Sequence, residues 1–226
     1  MVKIYLASIA NVTDSIMENQ IPYFHPLRRE KIRSNCQKND KKRSFVAGYL
    51  IKKALEENGV DYASSEFAQN EYGKVFIPGS SVYFNVSHSG DCVMCITAAS
   101  SVGCDVEYIE PDTSEKEIAI KKNMAKIFLS DGEREILFFK QGDAFLNNFY
   151  GYWTLKESAV KCIGRGMSFP LEEIPIDIAK SSAQSIMLHS RHYRLRGWKK
   201  SGYCFAVCVE AKPTEKIECV MQYVSV

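Results

Sequence analysis

The sequence lacks a long apolar segment and a strong excess of either charge. Its first ten residues contain one lysine and an apolar run too short for the core of a signal peptide, and no later stretch approaches the roughly 20 apolar residues that span a bilayer. With 29 Lys and Arg against 27 Asp and Glu, the net charge of +2 is too small to indicate a general polyanion binder. These absences predict a cytoplasmic protein that is not bound to membranes and is not a general binder of nucleic acid, so any phosphate binding must come from local clusters of charge.

A disulfide framework is also missing. The eight cysteines occur in a long chain without a secretory signal, where reduced thiols are the default. The one CxxC pair, Cys92 and Cys95, falls in a strand-like apolar run, where residues three apart face opposite sides of a sheet. This spacing disfavours a shared zinc ion, and we expect buried thiols instead.

The apolar content is sufficient for a sizeable core. Hydrophobic residues make up 46% of the 226 residues, and this length fits one large domain or two of about 100 residues each. Both halves show strands, a long helix and further strands, without a residue-level repeat. In the second half the long helix is predicted over residues 143–163 with Gly164 as its end, and strands of an antiparallel sheet are predicted from residues 174–178 onward.

Residues 27–44 form the most basic segment of the chain. Eight Lys and Arg residues stand there against Glu30 and Asp40, a local excess of six positive charges. Either a solvated helix face or a phosphate site explains this excess. Asp40 is predicted to cap the following helix, which places Arg43 and Ser44 in its first turns, where free amides and the helix dipole favour an anion.

Two turns carry further polar residues. Lys74 ends the turn N-E-Y-G-K, which alone indicates an exposed hairpin. His88 stands between Ser87 and Ser89 at a Gly-containing turn between two strands, and so at the end of a sheet. There the imidazole can donate a hydrogen bond to an anion, although a single surface histidine is often inert.

A predicted strand carries two acidic residues on one face. In V-G-C-D-V-E-Y-I-E, Asp105 and Glu107 lie two positions apart, so the pleat directs both carboxylates to the same side. Such pairs are expected by chance about three times in a chain of this composition. The pair gains significance only from its surroundings.

The long helix of the second half carries a ridge of functional side chains. Trp153, Glu157 and Lys161 follow the i, i+4, i+8 spacing of one helix face. An exposed ion pair of Glu157 and Lys161, contributing about 0.3–0.5 kcal/mol, is one explanation, but Trp153 at the head of the ridge indicates a face that is not simply solvated. Upstream, Ser130 and Glu133 have the spacing of a capping box.

Four motifs occur in a fixed order, namely Y-G-K, N-V-S-H-S-G, G-C-D-V-E and W-T-L-K-E-S-A-V-K. Together with the basic segment they resemble the 4'-phosphopantetheinyl transferases of the surfactin-synthetase-activating type. The resemblance runs from the N-terminus to about Pro170 and reappears in the strand near Tyr203. Each motif alone is weak, whereas all four in order at this spacing are specific.

The resemblance implies an α+β fold, a monomeric pseudodimer of two similar subdomains, each a small antiparallel sheet packed on a long helix. The expected subdomains are residues 1–102, with the basic segment and the S-H-S turn, and residues 103–226, with the D-x-E strand and the W-x-x-K-E-x-x-x-K helix.

The resemblance also implies a reaction. The 4'-phosphopantetheine arm of coenzyme A would be moved to a serine of an apo acyl or peptidyl carrier protein, as in polyketide or nonribosomal peptide biosynthesis, with release of 3',5'-ADP. Asp105, Glu107 and Glu157 would bind a metal ion, and three carboxylates favour Mg²⁺ over zinc. Coenzyme A would contact Arg28, Lys31, Arg43, Ser44, Lys74, Ser87, His88, Lys156 and Lys161.

Catalytic roles are implied for three residues. Lys161 would stabilise charge on the phosphates, and Glu133 would help to deprotonate the incoming serine, unless Glu157 or a metal-bound water is the base. The acidic helix of the carrier is expected to dock on a surface around Lys121, Lys122, Met124 and Phe128.

Two other functions stay open on the residues alone. A nucleic-acid-binding protein would use the basic segment and the basic edge from Arg191 to Lys200, but leaves the D-x-E strand unexplained. A coenzyme A-binding hydrolase of the pyrophosphate would use the same metal site without a carrier.

Overall fold

The computed structural model of the protein describes residues 1–212, 215 and 218–226. The chain forms two compact units, one of Met1–Val102 together with the C-terminal strand, the other of Gly103–Glu215. Both combine a four-stranded sheet with a long helix, so the predicted α+β class is confirmed. No helix in the described part of the chain is both long and apolar enough to cross a membrane.

The first unit is built around one long helix and one sheet. Its elements are β1 (Val2–Ser8), α1 (Asp14–Gln20), α2 (Pro26–Ser34), α3 (Lys38–Glu56), β2 (Ala68–Gln69), β3 (Val75–Phe76), β4 (Tyr83–Ser89), β5 (Cys92–Ala98) and, from the end of the chain, β10 (Cys219–Tyr223). The sheet order is β10-β1-β5-β4, with β5 antiparallel to both of its neighbours. Phe45, Leu50 and Ala54 on α3 are fully buried in the core that this unit encloses.

The start of α3 differs from the prediction. Gln37 occupies the N-cap position, and Asp40 lies inside the first turn instead of capping it. Arg43 and Ser44 therefore fall in the second turn, where the backbone amides already donate to carbonyls of the preceding turn. These two residues therefore do not lie at the free helix amides on which the predicted anion site was based.

The second unit repeats the arrangement with a longer helix. Its elements are β6 (Val102–Tyr108), α4 (Glu115–Phe128), α5 (Asp131–Phe138), α6 (Gly142–Ile163), β7 (Gln184–Leu188), β8 (Arg191–Lys200) and β9 (Tyr203–Glu210). The sheet order is β6-β9-β8-β7. The predicted signals at the helix ends are confirmed, because Gly164 adopts a left-handed conformation (φ 81°) after α6, and Ser130 with Glu133 forms a capping box at α5.

Residues 174–178 do not form the predicted strand. Short 3-10 turns at Leu171–Glu173 and Ile178–Lys180 flank this stretch. Ile174 and Ile176 are nevertheless buried, with exposures of 0% and 6%. The alternation in the sequence therefore reflects burial of two isoleucines, while the backbone groups of the segment bond to side chains instead of a neighbouring strand.

The C-terminal strand lies in the first unit. β10 pairs in parallel with β1 over Val2–Leu6, and Val2 N donates to Glu218 O at 2.7 Å. The expected extent of the second subdomain to residue 226 is therefore wrong at its C-terminal end. Because Val220, Met221 and Tyr223 are exposed, the strand gave no clear alternation from which to predict it.

Candidate active site

The centre of the second unit is a close contact between β6 and α6. A Cβ atom added at Gly103 would collide with the backbone oxygen of Ser158 and the backbone nitrogen of Cys162. Only glycine permits this approach, because the obstacles are backbone atoms that cannot rotate away. The contact places the next outward-alternating residues of β6, Asp105 and Glu107, opposite α6.

Two carboxylates and one lysine meet there. Lys161 Nζ lies 2.6 Å from Asp105 Oδ1 and 4.0 Å from Glu157 Oε2. Asp105 and Glu157 are 2% and 8% exposed, whereas the Lys161 side chain keeps 30% of its surface. The predicted Asp105, Glu157 and Lys161 are thus brought together, with the ammonium on the more open side.

Glu107 is held by the head of the helix ridge. Trp153 Nε1 donates to Glu107 Oε1 at 3.3 Å, and the indole packs edge-on against Phe128 at a centroid distance of 5.1 Å. The ridge of Trp153, Glu157 and Lys161 therefore faces β6 along its whole length. This confirms that the ridge is not a solvated helix face.

Burial and neighbouring charges shift the pKa values of Glu157 and Lys161 in α6. Burial raises the pKa of Glu157, the Lys161 charge opposes the rise, and the Asp105 charge adds to it. For Lys161, burial favours the neutral amine, but the charge and hydrogen bond of Asp105 outweigh it and raise the pKa. Lys161 is therefore a firmly charged ammonium.

The donors fit a divalent cation in chemistry. Among the described residues, no three His, Cys, Asp or Glu side chains converge closely enough to hold a metal ion as they stand. Carboxylate oxygens are nevertheless the ligands that Mg²⁺ prefers. Glu157 Oε1 is buried and has no hydrogen-bond partner in the described part of the chain, so an acceptor is available for a cation or a proton.

Lys156 and Glu133 lie inside the unit and not at this surface. Lys156 is 0% exposed, and its ammonium pairs with Glu133 Oε2 at 2.9 Å. The predicted contact of Lys156 with coenzyme A is inconsistent with this position, since a phosphate has no access to the ammonium. Two roles were considered for Glu133, a structural one as a helix cap and a chemical one. Its contacts are those of a helix cap.

In the first unit, the S-H-S residues form the last part of β4. Ser87 is buried and His88 is exposed, as expected for a residue at the end of a sheet. Arg43 donates to Gly90 O at 2.8 Å and to Asp40 Oδ1 at 2.6 Å. The guanidinium thus ties α3 to the turn that follows His88.

An open cationic pocket lies between α2 and the β2–β3 hairpin. Arg28 and Lys31 line it together with Phe67 and Gly73, and a Cβ at Gly48 would approach Arg28 Cγ to 2.8 Å, so this glycine makes room for the arginine. Burial lowers the pKa of both cations, and no carboxylate in the described residues pairs with either. Two cations without an acidic partner among the described residues are suited to receive an anion.

Two other predicted ligands lie elsewhere in this unit. Lys74 Nζ donates to the carbonyl oxygen of Val102 at 3.1 Å and to Ser101 Oγ at 3.3 Å. Ser44 is 3% exposed, and its hydroxyl has no hydrogen-bond partner in the described part of the chain. Lys74 therefore contacts the residue from which the chain enters the second unit.

Sequence reasoning missed Gly103 as a residue that builds the site, and it gave Lys156 a contact with coenzyme A instead of a buried position. Gly103 carried a signal, because a glycine inside an apolar strand indicates close approach of another backbone. Lys156 carried one as well, since it lies between Tyr152 and Val160 on a buried stripe of α6. The contact of Arg43 with Gly90 has no sequence signal, because it joins segments 47 residues apart.

Comparison with known proteins covers the same residues. The sequence model of the 4'-phosphopantetheinyl transferase superfamily matches residues 101–208. A 4'-phosphopantetheinyl transferase of Bacillus subtilis is 34% identical over 167 residues, which are 73% of this chain and 71% of that protein. The 4'-phosphopantetheinyl transferase Sfp of Bacillus subtilis strain 168 is 32% identical over 196 residues, 84% of each chain.

A third relative, the 4'-phosphopantetheinyl transferase gsp of Aneurinibacillus migulanus, is 34% identical over 149 residues, 66% of this chain and 58% of that protein. The superfamily match includes β6 and α6, whose carboxylates and lysine meet in the second unit. The similarity to Sfp extends over most of both chains. This chain therefore belongs to the 4'-phosphopantetheinyl transferase family.

Proposed function

We propose that the protein transfers the 4'-phosphopantetheine arm of coenzyme A to a serine of an apo acyl or peptidyl carrier protein. The serine oxygen forms a bond to the phosphorus of the phosphopantetheine, the bond from that phosphorus to the bridging oxygen breaks, and 3',5'-ADP leaves. The observation that carries the proposal is the group of Asp105, Glu107, Glu157 and Lys161 between β6 and α6.

Mg²⁺ is the proposed metal ion. Asp105, Glu107 and Glu157 would hold it, because they offer only carboxylate oxygens. When bound, the ion offsets the charge of the pyrophosphate. Lys161 supplies a second positive charge on the open side of the group, where it stabilises charge that develops on a phosphate oxygen.

The serine proton goes to Glu157 in this proposal. Glu157 Oε1 is a carboxylate oxygen without a hydrogen-bond partner in the described residues, and it belongs to the group that meets the phosphates. A base must lie within hydrogen-bond reach of the proton that it accepts. Glu133 has both oxygens engaged in the interior and does not meet that requirement.

Coenzyme A takes its remaining contacts from the first unit. Arg28 and Lys31 are the proposed ligands of the 3'-phosphate, since they lack an acidic partner, whereas Arg43 is held by Asp40. His88 and Ser87 contact the pyrophosphate or the ribose phosphate. Lys74 and its turn lie near the adenine side, and the Ser44 hydroxyl remains a candidate donor to the 3'-phosphate.

The carrier protein docks on α4 in this proposal, by a surface that differs from the expected one. Lys121 is 7% exposed and bonds to Glu117, and Phe128 is 1% exposed, so neither is open to a partner. The exposed side of α4 carries Ile120, Met124 and Ile127. The proposed α4 surface is these three apolar residues together with Lys122.

Mass spectrometry of the carrier tests the function. The protein is incubated with coenzyme A, Mg²⁺ and an apo carrier protein, and the carrier is weighed. A carrier that gains the mass of one phosphopantetheine on its serine supports the transferase. If coenzyme A is cleaved while the carrier mass stays unchanged, the protein is a hydrolase, and if neither reaction occurs the proposal fails.

A further inference from the structure

The interior of the second unit contains a buried ion pair next to the proposed metal ligands. Lys156 precedes Glu157 in α6 and is fully buried. Its ammonium bonds to Glu133 Oε2 at 2.9 Å, to Leu171 O at 2.9 Å and to Ile174 O at 2.6 Å. An ammonium has three donors, so all of them are used within the protein.

Glu133 is equally engaged. Its Oε2 accepts from the backbone nitrogen of Ser130 at 2.9 Å in addition to Lys156, and its Oε1 accepts from the backbone nitrogen of Ile176 at 2.9 Å. The residue is 6% exposed. Neither oxygen therefore faces an incoming hydroxyl.

The pair joins three segments at one point. Glu133 belongs to the first turn of α5, Lys156 to the middle of α6, and the accepting and donating backbone groups to residues 171–176. Lys156 and Glu157 are neighbours in α6 and so point about 100° apart around the helix axis. Anchoring Lys156 in the interior thus fixes the rotation of α6 that turns Glu157 and Lys161 toward β6.

We propose that Glu133 and Lys156 are a positioning pair for Glu157 and Lys161 and that neither touches coenzyme A or accepts the serine proton. This proposal rests on the transferase function proposed above. It differs from two other assignments of these residues, Glu133 as the general base and Lys156 as a phosphate ligand, and each assignment has its own kinetic signature.

Lysine footprinting of the wild-type protein gives a test that needs no variant. The folded protein is treated briefly with an amine-acylating reagent, with and without coenzyme A, and the modified lysines are identified by mass spectrometry. We expect Lys156 to remain unmodified in both samples, whereas exposed Lys126 is modified in both and Lys161 only without coenzyme A. Modification of Lys156 in the free protein that coenzyme A suppresses would overturn the proposal.

Kinetics of Glu133→Gln, Lys156→Met and the double variant separate the roles. Each single change leaves a buried partner unpaired, so we expect a lower melting temperature, a kcat lower by about tenfold, and a higher Mg²⁺ concentration for half-maximal rate, with the KM for coenzyme A within about twofold of wild type. In the double variant the fold-loss in kcat should be smaller than the product of the two single losses, because both substitutions remove the same interaction.

Three results would overturn the pair. A KM for coenzyme A that rises in Lys156→Met without a change in melting temperature would make Lys156 a ligand. A loss of about a thousandfold in kcat for a normally stable Glu133→Gln would make Glu133 the base. Lower melting temperatures with unchanged kcat and Mg²⁺ dependence would make the pair merely structural.

The two proposals fail separately. If the wild-type protein does not modify the carrier, the proposed transferase function is wrong. Footprinting and melting temperatures still show in that case whether Lys156 and Glu133 are buried and paired. Footprinting also decides the matter where a single variant does not fold, because it uses the wild-type chain.

Discussion

At the scale of single residues, the environment of a side chain decides its chemistry more than its type. Lys156 and Lys161 are five positions apart in one helix. Lys156 is buried and bonds to carbonyl oxygens, whereas Lys161 lies on the more exposed side of the carboxylates. Glu133 and Glu157 differ in the same way. Both carboxylate oxygens of Glu133 accept hydrogen bonds, whereas Glu157 Oε1 has no hydrogen-bond partner among the described residues.

The cysteines give a prediction at this scale. All eight lie in the described part of the chain, and Cys36 alone among them is exposed. Burial raises the pKa of Cys92 and of Cys95 to about 12, and at pH 8 only about one such thiol in ten thousand is a thiolate. We expect a thiol reagent such as Ellman's to react rapidly with one thiol of the native protein at pH 8.

The variant Cys36→Ser identifies that thiol. It should abolish the rapid phase, and unfolding in denaturant should then reveal the seven remaining thiols. Rapid modification of any of the five buried cysteines in the native wild-type protein would contradict the burial described here.

At the scale of elements, the site depends on how closely β6 approaches α6 and on which side of α4 is open. Gly103 sets the first distance, and the helix periodicity of α4 sets the second, with Lys121, Ala125 and Phe128 inside and Ile120, Met124 and Ile127 outside.

Gly103→Ala tests the strand–helix contact. The added methyl group meets backbone atoms of α6, so we expect a loss of about 1–3 kcal/mol in the free energy of unfolding. We expect a larger proportional loss of transfer activity, because Asp105 and Glu107 on β6 are displaced from Glu157 on α6. Gly132→Ala is the matched control, since a Cβ there meets nothing within 4 Å. Denaturant unfolding and the transfer rate provide the measurement, and wild-type behaviour of Gly103→Ala would contradict the close contact.

Ile127→Glu tests the α4 surface. Ile127 is 78% exposed, so the substitution should leave the melting temperature unchanged while an acidic group on this surface repels the acidic helix of the carrier. We expect the KM for the carrier to rise about tenfold or more with the KM for coenzyme A unchanged. Phe139→Glu, at an 86% exposed residue outside α4, is the control. Equal effects of the two substitutions would argue against docking on α4.

At the scale of the whole molecule, the first unit closes its sheet with a strand from the C-terminal part of the chain. The first unit completes its sheet with β10, which pairs with β1, the first strand of the chain. Val224 and Val226 pack against the core of this unit, and Val224 N donates to Leu6 O at 2.7 Å. The last residues are therefore part of the first unit's structure, although they lie outside the superfamily match at residues 101–208.

Removal of residues 219–226 tests that closure. The truncation exposes the edge of β1 and part of the core, and we expect a loss of about 2 kcal/mol or more in the free energy of unfolding. Val220→Ser, at a 54% exposed position of the same strand, should change stability little. An unchanged melting temperature after truncation would show that β10 contributes nothing to the fold.

Much of this organisation is predictable from the sequence, for physical reasons. Local sequence patterns predict long helices with clear end signals, such as α6 with Gly164. The D-x-E strand is likewise predicted by its alternation of period two. What the sequence did not predict depends on contacts between distant segments. The ion pair of Lys156 with Glu133, the position of β10 and the contact of Arg43 with Gly90 follow from tertiary packing, which local patterns do not encode.

The central claim is that the carboxylates between β6 and α6 form the catalytic centre of the transferase. Asp105→Ala removes the group that bonds to Lys161 and should abolish transfer of phosphopantetheine to the carrier in the mass assay. Coenzyme A binding, carried largely by the first unit in this proposal, should only weaken, and circular dichroism should report an intact fold. Transfer at the wild-type rate by Asp105→Ala would contradict the account.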